Sequence, residues 1–463
     1  MSVWMDLTNT MRTWKGGCVG IVRAELEIAK NLKKKNPEIR FCVSEEIGFS
    51  EIKSEELEWL WNSDSVSDAY INHFHRNNKN DEFKIPEGLK KAINTSPARI
   101  ERVKILKKLV NSKLHGIKKL IAMVVMNSIY IPLKIISKFN NEFRNRLSNK
   151  KESCEFIHPF KENDIFFSVG VGYNEHIYDV IEDSKKKNQF KFFQLIYDFT
   201  PTIVPQTHKE ETKIFYKVFL DRTYKLSDAV FYGGKTAMLD GLKYAKDNSL
   251  PEREGIPVKF GSDVTVKLNL DDKKLREKVF EKYNIDKSYI MAVGSIEARK
   301  NHDILYQAYL ELMKTAEDLP QMIFCGYPGW KTEELLERLE RDERIKNKII
   351  IITPDDTELE ILYKNSLFTV LASLYEGWSL TLPESLNYGK FCIASDVAPL
   401  KEIGGDFIDY ANPYNAKEWA EKILYYYRNL DKLEEKNRNI EENWKSITWE
   451  ECSKNVAKEL KKY

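Results

Sequence analysis

Apolar runs alternate with amphipathic segments through the C-terminal half of the chain. The segments between the runs repeat apolar residues at helical steps, as at Ile304, Leu305, Ala308 and Leu312. Strands that are apolar throughout and are separated by helices are typical of a parallel sheet covered on both faces. The predicted strands are YIMAVG, QMIFC, KIIIIT, LFTVLAS and FCIAS. The pattern therefore predicts a doubly wound α/β domain over residues 263–445.

The N-terminal half has the same kind of pattern with less regularity. A Gly-rich turn opens the amphipathic segment GIVRAELEIAKNL, and the strand-like run IRFCVS follows it. Farther along, DIFFSVG, FKFFQLIYD and DAVFYGG are strand candidates that each end near a turn signal. We predict a second doubly wound domain over residues 1–262, with a hinge near GIPVKFGSD (255–263). The tail, 446–463, is predicted to form a last amphipathic helix.

Composition limits the class of protein. At 463 residues the chain is too long for one ordinary core. Its 42% apolar and 12% aromatic content can fill two cores and excludes disorder over most of the length. Six Cys residues lie far apart without a C-x-x-C pair, which indicates reduced thiols. The N-terminal segment has no apolar core of signal-peptide length, so we expect a cytoplasmic protein.

Charge is distributed unevenly along the chain. The formal net charge is +2, but residues 98–151 carry 14 Lys or Arg and only 2 Asp or Glu. This basic segment lies within a predicted insertion in the first domain, at about 85–155. Its apolar residues recur at three- and four-residue steps from Ile100, which is typical of a cationic amphipathic helix on an anionic bilayer. The alternative is a helix that packs its apolar stripe on its own domain.

Two adjacent cations follow the first strand of the predicted C-terminal domain. In open parallel sheets, ligands bind outside the carboxyl ends of the strands. Arg299 and Lys300, in VGSIEARKN, come shortly after such an end. An Arg–Lys pair suits a diphosphate, because Arg binds it bidentately and Lys acts as a point charge. A solvated basic pair before a helix is the alternative.

Two Glu residues, eight positions apart, flank the next strand end and helix start. Glu376 lies directly after LFTVLAS, where its carboxylate could accept hydrogen bonds from ligand hydroxyl groups. Glu384 could bind a ribose in the same way. However, the segment from Thr381 to Glu384 also fits a capping box with Pro in the first helical turn.

Two further clusters lie at strand or helix ends of the first domain. Gly16 and Gly17 precede the first predicted helix, where backbone N–H groups attract phosphate, although a tight packing turn is an equal alternative. Neither GGCVG nor GVGYNE is a G-x-G-x-x-G fingerprint. Tyr197 and Asp198 end the strand FKFFQLI and would face the cleft, unless Asp198 only forms a turn before Thr-Pro.

Taken together, these motifs resemble glycosyltransferase family 4. The resemblance lies in the E-x7-E pair, VGSIEARKN upstream and VKFGSD at the hinge. Its C-terminal part covers roughly residues 289–406. The segment DLTNTMRTWKGGCVGIVRAELEIAKNL is similar to the N-terminus of bacterial polysaccharide glycosyltransferases of mannosyl and rhamnosyl type. The resemblance implies a GT-B fold, in which two Rossmann-like domains face a cleft and a terminal helix crosses back to the N-terminal domain.

The resemblance also implies roles for individual residues. Arg299 and Lys300 would hold the donor diphosphate, Glu376 the donor-sugar hydroxyl groups and Glu384 the ribose. Arg299, Lys300 and Glu376 would be the catalytic residues. The full set implied for donor binding is Gly16, Gly17, Gly294, Arg299, Lys300, Glu376, Gly377, Ser379, Leu380 and Glu384. Tyr197 and Asp198 would lie on the acceptor side, and the segment TPDDTELEILY would flank the base.

The expected activity is a retaining, metal-independent transfer of a sugar from a nucleotide diphosphate to a lipid-linked glycan or polysaccharide. GDP-mannose is the favoured donor, and neither a cofactor nor a metal is expected. Two departures affect the acceptor side: Gly233-Gly234-Lys235-Thr236 replaces the usual Ser-x-x-[ST], and Tyr197 replaces a His.

Two other classes of function compete with the transferase. A nicotinamide-dependent Rossmann enzyme would also be doubly wound, but no strict dinucleotide fingerprint is present. A membrane adaptor without enzymatic activity would use the basic segment as its functional part. For the transferase itself, we expect peripheral attachment to the inner face of the cytoplasmic membrane through residues 98–151, and no nucleic-acid partner.

Overall fold

The structure is a computed structural model, and it describes most of the chain outside the basic segment. The described ranges are 2–13, 20–45, 48–63, 65–75, 158–170, 175–263, 273–286 and 288–463. The predicted Gly16–Gly17 turn and the basic segment, 98–151, lie outside these ranges. Described residues up to Asn72 and from residue 158 onward belong to one compact unit, which contains two sheets.

The N-terminal sheet has seven strands among the described residues. They are β1 (Val3–Asp6), β2 (Arg40–Glu45), β3 (Gly48–Ile52), β4 (Ile165–Ser168), β5 (Lys191–Ile196), β6 (Ala229–Gly233) and β7 (Glu254–Val258). Their order is β3-β2-β1-β4-β5-β6-β7. Neighbouring strands are parallel except β2 and β3, which pair antiparallel at one edge.

The C-terminal sheet has six strands, and all its neighbouring strands are parallel. They are β8 (Tyr289–Val293), β9 (Gln321–Cys325), β10 (Ile349–Ile352), β11 (Thr369–Leu371), β12 (Cys392–Ser395) and β13 (Asp409–Ala411). Their order is β10-β9-β8-β11-β12-β13. The chain runs outward from β8 in one direction, then resumes on its other side at β11, as in a doubly wound domain.

Helices connect the strands of both sheets. Those of the first domain are α1 (Ile21–Lys35), α2 (Glu58–Trp61), α3 (Val66–His75), α4 (Glu175–Asn188), α5 (Thr200–Ile203), α6 (Glu210–Leu226) and α7 (Gly234–Asp247). The remainder are α8 (Lys273–Tyr283), α9 (His302–Leu312), α10 (Glu333–Arg341), α11 (Asp356–Asn365), α12 (Thr381–Asn387), α13 (Ala398–Gly404), α14 (Ala416–Arg428), α15 (Leu430–Asn443) and α16 (Trp449–Leu460).

The predicted α/β fold class is confirmed, with two parallel-sheet Rossmann-like domains. All nine predicted strands are present, because each is an apolar run whose side chains are largely buried. The prediction omitted β1, β3, β7 and β13, which are short or carry polar residues. In particular, the segment predicted as a hinge begins with β7, which pairs with β6, so only the residues after Val258 form the connection.

The last helix, α16, packs on α1 of the first domain. Its start is fixed by the connection between the sheets: the Trp449 N–H donates to the Asp263 carboxylate at 2.7 Å, and the Ser262 N–H donates to the Ile447 carbonyl at 2.9 Å. Thr448 caps the helix by accepting from the Glu451 N–H at 3.0 Å. Among the described residues, no helix is long and apolar enough to cross a membrane.

Candidate active site

The structure brings Glu376, Arg299 and Lys300 into one buried ion cluster. Arg299 Nη1 lies 2.6 Å from Glu376 Oε2, and Lys300 Nζ lies 2.6 Å from Glu376 Oε1. The Ser373 hydroxyl also donates to Oε1, at 2.7 Å. The side chains of Glu376, Arg299 and Lys300 are only 6%, 14% and 11% exposed. The predicted diphosphate pair and the predicted sugar-binding carboxylate are therefore neighbours, and the alternative of a solvated basic pair is wrong.

The two neighbouring strands β8 and β11 deliver these residues to one edge of the sheet. Arg299 and Lys300 lie in a short 3₁₀ turn, Ala298–Lys300, between β8 and α9. Asn301 ends the turn in the left-handed region, with φ of 55°, a conformation that Asn tolerates better than most residues. The Leu374 N–H donates to the Arg299 carbonyl at 2.8 Å, which joins the turn to the loop after β11. Gly294, with φ of 135°, lies beside the Lys300 side chain.

A second carboxylate, on Glu297, completes the cluster. Its Oε1 accepts from Arg299 Nη2 at 2.7 Å, and its side chain is almost fully buried. Burial raises the pKa of Glu297, although Arg299 opposes the effect. Sequence reasoning missed Glu297, because its position two residues before Arg299 is the only local signal for it.

Electrostatics keep Glu376 ionised. Burial alone would raise its pKa, but Arg299 and Lys300 outweigh burial and lower the pKa to about 2. The pKa of Arg299 is raised, because Glu376 and Glu297 outweigh the opposing effect of burial. Glu376 is thus a fixed negative charge at neutral pH, and the cations beside it carry N–H groups suited to an anionic ligand.

Glu384 has a different partner, in the first domain. Its Oε1 lies 2.8 Å from Arg23 Nη1, and Arg23 Nη2 donates to the Asp263 carbonyl at 3.2 Å. Burial raises the pKa of Glu384, and Arg23 only partly offsets this. The alternative reading of Glu384 as part of a capping box is wrong, because Leu380 precedes α12 and no side chain caps the helix.

Loops of the two domains meet next to the ion cluster. A Cβ on Gly377 would lie 2.2 Å from the Tyr197 carbonyl oxygen and 2.5 Å from the Asp198 Cβ, so only glycine fits. Gly234 has φ of +92°, and a Cβ there would lie 2.9 Å from the Trp378 ring. Gly233 stands where the motif of the resembled family has Ser, and a Cβ there would lie 2.6 Å from the Tyr197 carbonyl oxygen, which gives a physical reason for glycine.

Asp198 forms a turn before Thr200, which was one of the two interpretations of its sequence. Its Oδ1 accepts from the Thr200 N–H at 2.8 Å and from the Thr200 hydroxyl at 2.7 Å. Nearby, Ser379 contacts the Thr381 hydroxyl at 3.1 Å, and the Leu380 carbonyl accepts the Glu384 N–H at 3.1 Å. In TPDDTELEILY, Asp355 and Glu358 form a capping box at the start of α11.

Further contacts between the domains surround the site. Tyr375 donates to Asp240 at 2.7 Å, and Glu402 accepts the N–H groups of Lys235 and Thr236, each at 2.7 Å. In the part of the chain that the structure describes, no group of three or more His, Cys, Asp or Glu is placed to hold a metal ion.

Comparison with known proteins finds similarity to one family over the C-terminal part of the chain. Residues 275–446 match the family model "Glycosyl transferases group 1". The chain is 30% identical to the O-antigen chain mannosyltransferase B of Escherichia coli over 177 residues, which is 38% of this chain and 46% of that protein. It is 29% identical over 138 residues to the N-acetylgalactosamine-N,N'-diacetylbacillosaminyl-diphospho-undecaprenol 4-alpha-N-acetylgalactosaminyltransferase of Campylobacter jejuni. That match covers 30% of this chain and 36% of the relative.

Solved structures share the fold over the full length. Anabaena HepE, in a complex with UDP and glucose, superposes with a TM-score of 0.57 at 10% identity, covering 100% of this chain and 99% of its own. A glycosyltransferase from Rickettsia africae gives 0.55 at 15% identity, with 100% and 98% covered. The GT-B arrangement expected from the motifs is confirmed at the level of fold.

Proposed function

Since the chain has the GT-B fold and its residues 275–446 match the glycosyl transferases group 1 family, we propose that it is a retaining glycosyltransferase. Its donor is a nucleotide diphosphate-sugar and its acceptor is a lipid-linked glycan or polysaccharide. The observation that carries the proposal is the buried cluster of Arg299, Lys300 and Glu376 at the carboxyl ends of β8 and β11. Ligands of open α/β sheets bind at such ends.

The cluster can stabilise a leaving diphosphate without a metal. When the bond between the anomeric carbon and the diphosphate oxygen breaks, negative charge grows on that oxygen. Arg299 and Lys300 lie where they can donate to it, and each well-placed donor of this kind contributes about 3–4 kcal/mol. Within the described ranges the Lys300 ammonium donates to Glu376 alone, so it retains further N–H groups for the ligand.

The transfer itself needs no covalent nucleophile. An acceptor hydroxyl attacks the anomeric carbon on the face from which the diphosphate departs. Its proton passes to the leaving diphosphate oxygen, so the new glycosidic bond retains the configuration. Glu376 then balances the two cations before the donor arrives and after the nucleoside diphosphate leaves.

The relatives support the choice of substrates. One relative is named a mannosyltransferase, which supports our choice of GDP-mannose as the donor of this chain. The Campylobacter enzyme is named for a diphospho-undecaprenol acceptor. We also propose that the basic segment, 98–151, attaches the protein to the inner face of the cytoplasmic membrane. Such attachment would place the protein at the membrane that holds a lipid-linked acceptor.

A thermal-shift comparison of nucleoside diphosphates with NAD tests the proposal. We expect GDP to raise the melting temperature of the wild type, since a ligand at 100 times its Kd stabilises by about 2.7 kcal/mol. The Arg299→Ala variant should lose this shift. Stabilisation by NAD alone, or by no nucleoside diphosphate, would refute the assignment. Product analysis by mass spectrometry, with GDP-mannose and a lipid extract, separates a transferase from a binding adaptor.

A further inference from the structure

A cavity of about 480 Å³ lies on the C-terminal domain, between the loops that follow β8 and β9. Its volume is within the range of about 300–1,000 Å³ that is typical of small-molecule sites. Arg299, Lys300 and Glu376 do not line it, so the cavity is separate from the ion cluster. Its lining includes Glu297, Asn301, His302, Lys331, Thr332 and Glu333.

Backbone hydrogen bonds hold the two loops of the cavity together. The Ile296 N–H donates to the Tyr327 carbonyl at 2.9 Å, and the Gly329 N–H donates to the Ile296 carbonyl at 2.6 Å. The Ala298 N–H donates to the Trp330 carbonyl at 3.3 Å. A Cβ on Gly329 would lie 2.9 Å from the Ile296 carbonyl oxygen, so this approach requires glycine. The cavity is therefore preformed, which lowers the cost of ordering it around a ligand.

Two buried side chains of the cavity wall each carry a polar atom that has no hydrogen-bond partner among the described residues. These atoms are Glu297 Oε2 and His302 Nδ1, in side chains of residues that are 2% and 4% exposed. Leaving such an atom without a partner costs about 1–3 kcal/mol, so each calls for a physical explanation. The other oxygen of Glu297 accepts from Arg299 Nη2 at 2.7 Å. Because Arg299 does not line the cavity, Oε2 is the oxygen on the cavity side.

The starts of α9 and α10 add hydrogen-bond donors to the same cavity. Asn301 precedes α9 and Thr332 precedes α10, and neither side chain caps its helix. Instead, the Asn301 amide donates to the Pro413 carbonyl at 2.8 Å, and the Thr332 hydroxyl donates to the Gly329 carbonyl at 3.3 Å. The N–H groups of the first helical turn lack partners within a helix. The cavity thus combines backbone donors with side-chain acceptors.

The chemistry of the cavity selects a neutral ligand that carries hydroxyl groups. No group of three or more His, Cys, Asp or Glu in the described ranges is placed to hold a metal ion, which argues against a divalent cation. Carboxyl side chains outnumber cationic ones in the lining, which disfavours phosphate. The carboxyl groups are those of Glu297, Asp303, Glu333 and Glu334, and the cations are Lys331 and Arg338.

Hydroxyl groups match the two buried atoms. Burial lowers the pKa of His302 to about 3, so the imidazole is neutral at pH 7 and its Nδ1 either donates or accepts, according to the tautomer. A hydroxyl group both donates and accepts, so it can pair with Nδ1 in either state and can donate to Glu297 Oε2.

We propose that this cavity is a saccharide site, separate from the donor site, which binds one neutral sugar unit through Glu297, His302 and the starts of α9 and α10. The sugar is either a free saccharide or a unit of a glycan chain. The choice of a saccharide among neutral polyols rests on the transferase function proposed above. Glu297 joins the two sites, because one of its oxygens holds Arg299 and the other faces the cavity.

The His302 imidazole gives a readout that is specific to the cavity. The full-length protein is labelled with ¹⁵N at its 7 His residues and observed by NMR. The His302 signal is identified by its loss in His302→Phe, a variant that keeps a ring against Phe324, 4.7 Å away in the wild type. The probes are a panel of methyl glycosides that includes methyl α-mannoside, and an α-linked mannotriose. We expect at least one probe to shift the His302 signal. Equal affinity for the two mannose probes identifies a single sugar unit as the ligand, and tighter binding of mannotriose identifies a glycan chain.

A matched pair of substitutions on α10 tests the location. Glu333→Trp places a large side chain at an exposed position of the cavity rim, and Glu340→Trp makes the same change at an exposed position outside the cavity. We expect Glu333→Trp to bind the saccharide about tenfold more weakly than the wild type, which is a loss of about 1.4 kcal/mol, and Glu340→Trp to bind it equally well. GDP affinity, measured by calorimetry, should be the same in all three proteins. No shift of His302 by any probe, or equal saccharide binding by the two Trp variants, would overturn the saccharide site. A wild type that shows the His302 shift but binds no nucleoside diphosphate would instead overturn the proposed transferase.

Discussion

Substitution of Glu376 by Gln should destabilise the C-terminal domain by roughly 3 kcal/mol at neutral pH. The contacts of Arg299 and Lys300 lower the pKa of Glu376 from 4.5 to about 2. Each unit corresponds to 1.36 kcal/mol, so the folded state favours the ionised carboxyl by roughly 3 kcal/mol. Gln keeps the shape and an acceptor oxygen but not the charge. It leaves two buried cations without their shared anion, which typically costs several kcal/mol.

The effect has a defined pH dependence. Because the folded-state pKa is lower than the unfolded one, the ionised carboxyl stabilises the protein fully above pH 4.5, and this contribution is lost as the pH falls toward 2. Urea unfolding of wild type and variant, followed by tryptophan fluorescence, measures the difference. It should be largest at pH 7 and shrink steadily below pH 4.5.

A matched control separates the cluster from a general effect of Glu→Gln. Glu337 pairs with Arg341 at 3.0 Å, but both side chains are more than half exposed. Removing such a pair costs less than about 1 kcal/mol. If Glu376→Gln and Glu337→Gln destabilise the protein equally, or if the Glu376 effect is the same at pH 3.5 and pH 7, the electrostatic reasoning fails.

Three further expectations concern activity and binding. Arg299→Ala should slow sugar transfer by about a hundredfold or more. Sugar transfer by the wild type should persist in excess EDTA. Loss of activity in EDTA that Mg²⁺ restores would contradict the metal-free mechanism. Glu384→Gln should weaken GDP binding while keeping the helix start, where it caps nothing, and unchanged affinity would exclude the ribose contact. The protein should sediment with anionic liposomes at low salt and be released by high salt. A variant with Lys104, Lys107, Lys108, Lys118 and Lys119 changed to Gln should sediment less than the wild type. Equal sedimentation of the two proteins would contradict membrane binding by the basic segment.

The sequence predicted those parts of the structure that depend on local patterns. Strands such as YIMAVG and FKFFQLI are buried on both faces, so an uninterrupted apolar run identifies them. The short strand β13, Asp409–Ala411, has no such run and is held by pairing with β12, which a local pattern does not show. Likewise, β7 contains Pro257 and exposed residues, so its sequence is more typical of a linker than of a strand.

Contacts between distant residues are the part that the sequence did not predict. Arg23 and Glu384 lie 361 positions apart, and no periodicity connects them. The cluster of Arg299 and Glu376 was predicted in part, because the ends of neighbouring parallel strands lie at one edge of a sheet. That argument requires the strand order, in which β8 and β11 are neighbours although two strands separate them along the chain.

The two Glu residues of the E-x7-E pair are chemically different because their environments are different. Both are buried, and burial raises the pKa of any carboxyl group. At Glu376, two cations and the Ser373 hydroxyl outweigh burial, so the pKa falls and the group stays ionised. At Glu384, Arg23 does not outweigh burial, so the pKa rises. The oxygens of Glu384 can accept hydrogen bonds, which suits the hydroxyl groups of a ribose. A carboxylate that stays charged suits a site where two cations must be balanced whenever no diphosphate is bound. The two Glu residues of the pair thus lie in different environments, and this difference is consistent with the different roles expected for Glu376 and Glu384.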